Sequence, residues 1–206
     1  MTSGTDDNRR RAILDAAVAV VVERGYGAAR VSDIAQLAGT STGTVHYYFP
    51  SKVDVLDAAL RHASDRSSIR HRNELVSLDD PRERLLRLID LQLPDGAVAD
   101  EWAIWLEFWS EARHRTELRE RNVEIYARWL ALIEGLVRDG VARGSFRDDV
   151  DPADFALRFA GTFDGLGLQV LLQPTLENKW RLRRILVSMV ERELDHPSQP
   201  GSNGGT

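Results

Sequence analysis

Apolar residues recur at three- and four-residue spacing along nearly the whole chain, and no window alternates apolar with polar residues as a half-buried strand would. Residues 9–25 put Ile13, Ala17, Val20 and Val21 on one face, with Gly25 as a helix stop. Ser32 can cap a short helix over 33–38 that ends at Gly39, and Ser41 can cap another over 42–48. Ser51, with Asp54 three residues on, is a near capping box and opens a helix to about residue 77. Asp80-Pro81 starts the next, which stops before Pro94, and "ADEWAIWLEFWSEARHR" follows. Residues 117–143 carry Val123, Tyr126, Leu130, Ile133 and Val137 in helical register up to Gly144. Asp151-Pro152, a cap followed by Pro at the first helical position, opens a helix to about Leu172, and Pro174 separates it from a last one over 176–195. The pattern predicts an all-α protein of about nine helices. It divides into a three-helix head over 9–50 and a larger helical body over 51–195, with unstructured ends at 1–8 and 196–206.

Composition narrows the setting. An apolar share of 43% over 206 residues suffices for a buried core. The absence of cysteine excludes disulfides and Cys-based zinc sites and fits a reducing, cytoplasmic setting. The first residues lack the apolar region of a signal peptide, and the longest uncharged apolar run, Ala16 to Val22, falls short of a membrane span, so no membrane partner is expected. Net charge is −5, yet residues 9–52 hold six basic side chains against three acidic ones. A basic head on an acidic body is compatible with binding nucleic acid.

The chemistry concentrates in "GTSTGTVHYYFPSK", residues 39–52. Two short helices joined at Gly39-Thr40-Ser41 form a helix-turn-helix, with Ile34, Leu37, Val45 and Phe49 available to hold the crossing. The second helix of such a motif enters the major groove with its N-terminus leading. Ser41, Thr42, Gly43 and Thr44 are small enough to let the backbone approach DNA, and their hydroxyls can bind bases or phosphates. His46 and Tyr47 can reach base edges or thymine methyls; Tyr48 and Lys52 suit phosphate at the groove edge. The competing reading makes Tyr47 and Tyr48 ordinary core residues.

From about Arg11 to Leu60, including "RVSDIAQLAGTSTGTVHYYFPSKVDVLDAAL", the chain resembles the DNA-binding head of the tetracycline-repressor (TetR) family, down to the Tyr-Tyr-Phe step and the Ser-Lys after it. The resemblance implies a homodimeric, ligand-responsive, usually repressive transcription factor. It also implies DNA contacts at Ser32, Thr40, Ser41, Thr42, Gly43, Thr44, His46, Tyr47, Tyr48 and Lys52. Where relatives often carry Thr, Val31 offers no hydroxyl to a phosphate. "WAIWLEFWSEA" and "FAGTFDGLGLQVLL" are similar to the betaine-regulator-like C-terminal subgroup.

In the body, Trp102, Trp105 and Trp109 share one helical face, and Tyr126 and Trp129 sit on the next long helix. These rings either fill the core or wall an effector cavity with Phe163, for which Glu107, Asp164 and Gln169 are candidate polar anchors. Aromatic faces beside carboxylates suit a cationic effector, a quaternary ammonium or a polyamine, and the subgroup resemblance points the same way. The last two helices are the expected dimer face, formed by Phe155, Phe159, Gly161, Gly165, Leu182, Ile185, Leu186, Met189 and Val190, the alternative being that these faces pack only within one chain.

Other signals fall away. "GTFDGLGLQ" lacks the strand and Lys-Ser/Thr end of a phosphate loop, and "DDVDPAD" lacks the Gly and terminal Glu of a calcium loop. The five histidines form no metal-spaced pair, and all but His46 are expected on the surface. No Gly-x-Ser-x-Gly turn appears. The expectation is a regulator, not an enzyme, with no cofactor or metal, that binds a double-stranded DNA operator. Its alternative is an effector-independent or architectural DNA-binding protein.

Overall fold

Local end signals divide the chain into nine helices among the described residues of this computed structural model, which describes the backbone of residues 3–196 and the side chains of 5–196. They are α1 (Ser3–Arg24), α2 (Val31–Leu37), α3 (Thr42–Tyr48), α4 (Lys52–Leu75), α5 (Pro81–Gln92), α6 (Ala97–Ala112), α7 (Thr116–Ala142), α8 (Pro152–Leu172) and α9 (Leu176–Glu193). The expected tail lies, from residue 197 on, outside the described residues.

Most boundaries follow from caps. Ser51 and Asp54 close a full capping box at the start of α4, each side chain bonding the other's backbone N–H. Asp80 and Asp151 cap α5 and α8 ahead of their prolines. Gly39 (φ 63°) ends α2 in a Schellman motif: Thr40 N–H donates to Ala35 C=O at 2.9 Å, and Gly39 N–H to Gln36 C=O at 3.2 Å.

Two starts differ from expectation. α1 begins at Ser3 instead of residue 9, so the expected unstructured N-terminus is helical from there on; Asp6, in its first turn, suits the positive helix end and accepts a hydrogen bond from the Tyr48 hydroxyl. α2 begins at Val31 after Arg30, with no side-chain cap, so Ser32 lies inside the helix instead of capping it.

The packing does not part at residue 50. A first core joins Ile13, Ala17 and Val20 of α1, Ile34 of α2, Val45 of α3 and the first half of α4 to Ile104 and Phe108 of α6 and Leu118 and Ile125 of α7. A second core unites α5, α8, α9 and the later part of α7 around Leu85, Leu88, Phe155, Phe159, Phe163 and Leu186. Trp109 packs against both. Leu37, expected in the α2–α3 crossing, is exposed.

α8 is long and apolar enough by length and composition to span a bilayer, but its apolar residues serve an inward face of phenylalanines and an outward stripe. This corrects the expected dimer face. Phe155, Phe159, Leu182, Leu186 and Val190 are buried within the protomer, because they fall on the inner faces of α8 and α9, and so they are unavailable to a partner. Gly161 and Gly165 lie on the outward side, where an added Cβ would meet nothing, and Ile185 and Met189 are half-buried. Leu157, Leu172, Leu176 and Trp180 are exposed with them.

Candidate nucleic-acid interface and ligand cavity

α3 is seven residues long, and its register decides what it offers. Val45 and, just past its end, Phe49 turn into the first core, which leaves Thr42, Gly43, His46 and Tyr47 facing solvent on one side. Tyr47 is 79% exposed, which removes the core reading for that ring. Tyr48 is half-buried, stacks edge-on against Tyr47 at 5.1 Å and directs its hydroxyl to Asp6. Ser41 caps the helix, its Oγ accepting from Thr44 N–H at 3.1 Å and lying 2.9 Å from Thr44 Oγ1. Thr40 is half-buried in the turn and Ser32 is exposed on α2. His46 Nδ1 lies 3.3 Å from the Pro50 carbonyl. Lys52 Nζ donates to the Gly27 carbonyl at 2.7 Å, a contact it must leave to reach a phosphate. Arg10, one of the basic residues of the head, places its guanidinium 5.3 Å from the Phe49 ring centre, just past the end of α3.

The second site is a cavity of about 120 Å³ between the two cores. Trp102, Trp105, Trp109, Tyr126, Trp129, Phe163 and Asp164 all line it. The choice between core and cavity resolves within this set: Trp102 and Phe163 are buried and stacked at 5.9 Å, while Trp105, Trp109 and Trp129 are only partly covered. Trp102 Nε1 donates to the Gln92 carbonyl (2.9 Å) and Trp109 Nε1 to Asn122 Oδ1 (3.0 Å), which fixes both indoles. Gly167 makes room for Trp102, since a Cβ there would fall 2.2 Å from the ring.

Two expected anchors are elsewhere. Glu107 projects from another side of α6, and its carboxylate accepts the Tyr26 backbone N–H at 2.8 Å. Gln169 is exposed on α8. In their place the cavity takes Ser64, Ser67, Ser68 and His71 from α4, together with Glu101 and Asn122. The α4 residues recur at helical spacing as a polar stripe, a signal available in the sequence. His71 is buried, contrary to the surface expectation; burial, then the charge of Arg70, pulls its pKa down to about 4, so it is neutral at pH 7.

The charges are unevenly matched. Arg70 grips Glu101 through two hydrogen bonds, 2.6 and 2.8 Å, which offsets that carboxylate. Among the described residues Asp164 has no such cation. Burial pushes its pKa up to about 6, and the neighbouring Tyr126 hydroxyl works against that rise, so at pH 7 it is mostly ionised. Burial and then the Asp164 charge push Tyr126 up to about 12, keeping it a neutral donor. Arg128 lies on the exposed side of the cavity, where a wider groove between α4 and α7 shares Ser68, His71 and Leu132 with it. The arrangement is that of a small aromatic box with one paired carboxylate, Glu101, and one unmatched by a cation among the described residues, Asp164; on the α4 side Ser67 Oγ lies 3.5 Å from His71 Nε2.

Comparison with known proteins covers both the head and the body. Residues 13–59 match the family of bacterial regulatory proteins of the tetR type, and residues 81–195, more than half of the chain, match the C-terminal domain of BetI-type transcriptional repressors. The transcriptional regulator BetI of Rhizobium meliloti is 37% identical over 128 residues, 62% of this chain and 63% of that protein. The regulator PksA of Bacillus subtilis is 27% identical over 90% of this chain and 89% of its own. A transcriptional regulator from Saccharomonospora viridis, solved in complex with choline, superposes with a TM-score of 0.84 at 38% identity, covering 93% of this chain and all of that one.

Proposed function

Because the chain belongs to the TetR family of bacterial regulatory proteins and carries a BetI-type repressor C-terminal domain, we propose that it is a homodimeric cytoplasmic repressor released from its operator by a small organic cation of the choline class. The observation that carries this reading is the aromatic box around Asp164, a carboxylate that no cation offsets. Tryptophan and tyrosine faces attract a quaternary ammonium, and an ionised carboxylate in a partly dry cavity adds a charge. A volume of about 120 Å³ is close to the ~150 Å³ apolar cavity that holds one benzene, so it suits a ligand of few heavy atoms. The choline found in the Saccharomonospora viridis protein supports the same class.

Two heads would read successive major grooves of a palindromic operator, their α3 helices separated by one helical turn, ~34–36 Å, or a near multiple. Thr42, Gly43, His46 and Tyr47 supply the reading surface. The outward stripe Leu157–Gly161–Gly165–Leu172, with Leu176 and Trp180, supports subunit pairing in a form consistent with the burial of the inner phenylalanines. Light scattering should give twice the 23.2 kDa chain mass; a single-chain mass would refute the pairing. Choline titration followed by tryptophan emission tests the ligand: saturable quenching or shift is expected, and no response at millimolar choline would refute the class. A polyamine such as spermidine, larger and multiply charged, should bind less well.

A further inference from the structure

Glu107 has the residue type of a ligand anchor but faces away from the cavity. Its carboxylate Oε2 accepts the backbone N–H of Tyr26 at 2.8 Å, in the turn that joins α1 to α2. The turn is built around this contact. Gly25, with φ 81°, takes a conformation that favours glycine, and a Cβ there would lie 3.0 Å from the same oxygen. Tyr26 is buried, with the Arg115 guanidinium 5.7 Å from its ring centre, and Arg115 is paired with Glu111 at 3.3 Å. On the other side Lys52, the first residue of α4, holds the Gly27 carbonyl at 2.7 Å. The turn is thus gripped by α6 and its C-terminal extension and by the start of α4.

α6 is one rigid helix with two duties. Trp102, Trp105 and Trp109 form the cavity wall, and Glu107, two residues from both Trp105 and Trp109, projects from nearly the opposite side at ~100° per residue. We infer that Glu107 is the positioning residue that ties the cavity wall to the DNA-reading head, through its hydrogen bond to the Tyr26 amide. The inference rests on the effector reading above and locates its transmission in α6. A ligand that changes the seating of the tryptophans moves α6; the carboxylate then carries the α1–α2 turn with it or releases it, and α2 and α3 follow through the first core. A ligand shifts the head only by its difference in affinity between the two arrangements, and the operator must shift the ligand site by the same factor. Removing the carboxylate cuts that factor without touching the cavity or α3.

The test compares the full-length parent with Glu107→Ala and Glu107→Gln, using an operator duplex selected by the parent from a random pool. In the parent, saturating choline should weaken operator binding by about 5- to 150-fold, the usual range of such coupling. Glu107→Ala should bind choline as the parent does by tryptophan emission, bind operator without choline, and lose the choline-dependent shift to within about twofold. Glu107→Gln, whose amide oxygen still accepts the Tyr26 N–H, should fall between the two. A parent-sized shift in Glu107→Ala would overturn the inference. Should Glu107→Ala fail to fold, a parent-sized shift in Glu107→Leu, which fills the space and accepts no hydrogen bond, would do the same. All five tryptophans lie at or beyond residue 102, so operator binding by the head should change body emission in the parent and not in Glu107→Ala. That readout needs no ligand. A parent blind to choline sinks the effector reading alone, and an operator-induced emission change that persists in Glu107→Ala sinks this one.

Discussion

The proposed reading face of α3 and the aromatic cavity differ in how far their residues travel to meet. The face is a single stretch, Thr42 to Tyr47, held by a cap at Ser41, a left-handed glycine at Gly39 and two inward residues, Val45 and Phe49. The cavity gathers side chains from α4, α6, α7 and α8 along with Gln92 at the end of α5, and its lining runs from Ser64 to Asp164. A local site is robust to changes elsewhere and sensitive to its own few residues. A distributed one depends on spacers that never touch the ligand. The two meet at α6, whose Ile104 and Phe108 complete the head's core while Trp102 walls the cavity.

The strongest way to break this comparison is to alter a spacer. Gly167→Ala drives a methyl to within 2.2 Å of the Trp102 ring, and such overpacking costs ~1–3 kcal/mol or more. Choline affinity should fall by about 100-fold in calorimetry, with operator affinity in the absence of choline unchanged. Next in size, Asp164→Asn removes the unpaired carboxylate of the cavity lining and should weaken choline by ~2 kcal/mol, about 30-fold. The same group gives the pH dependence. Its folded pKa is raised to about 6, so the carboxylate is charged above that value and protonated below it. Parent affinity for choline should therefore hold above pH 7 and drop by up to tenfold per unit below about pH 6, and Asp164→Asn should flatten that slope.

On the head side, Tyr47→Ala should cost about 1.5 kcal/mol at a base it reads and little on unrelated duplexes, with choline binding untouched. A uniform loss across sequences in a mobility-shift assay would make Tyr47 a backbone contact. The smallest effect is Ser51→Ala, which removes half of a capping box and should lower unfolding stability by ~1 kcal/mol in urea melts, leaving both sites intact.

What was legible in the chain follows the same division. The helix count, the glycine and aspartate boundaries and the outward direction of His46 and Tyr47 are local consequences of caps and of a 3.6-residue period, and a single sequence displays them. The start of α1 at Ser3 was hidden because its tether, Asp6 to Tyr48, spans forty-two residues. Trp102, Trp105 and Trp109 were identifiable as one face, but the period alone cannot say whether a face meets core, cavity or neighbour. That ambiguity misplaced Glu107, which faces the head, and Phe155 and Phe159, which are used inside the protomer. His71 was discounted as an isolated histidine because no metal-spaced partner accompanied it. Its stripe with Ser64, Ser67 and Ser68 was the signal, a polar line on the buried side of a helix.

The central claim is that one chain couples a cation-sized aromatic box to a DNA-reading helix. Fluorescence anisotropy of a labelled, selected operator bound by the parent and by Asp164→Asn, titrated with choline at pH 7.5, tests it most directly. The account predicts release of the parent at a choline concentration at least tenfold below that needed for Asp164→Asn. Operator complexes that ignore millimolar choline, or that respond equally in the two proteins, would contradict it.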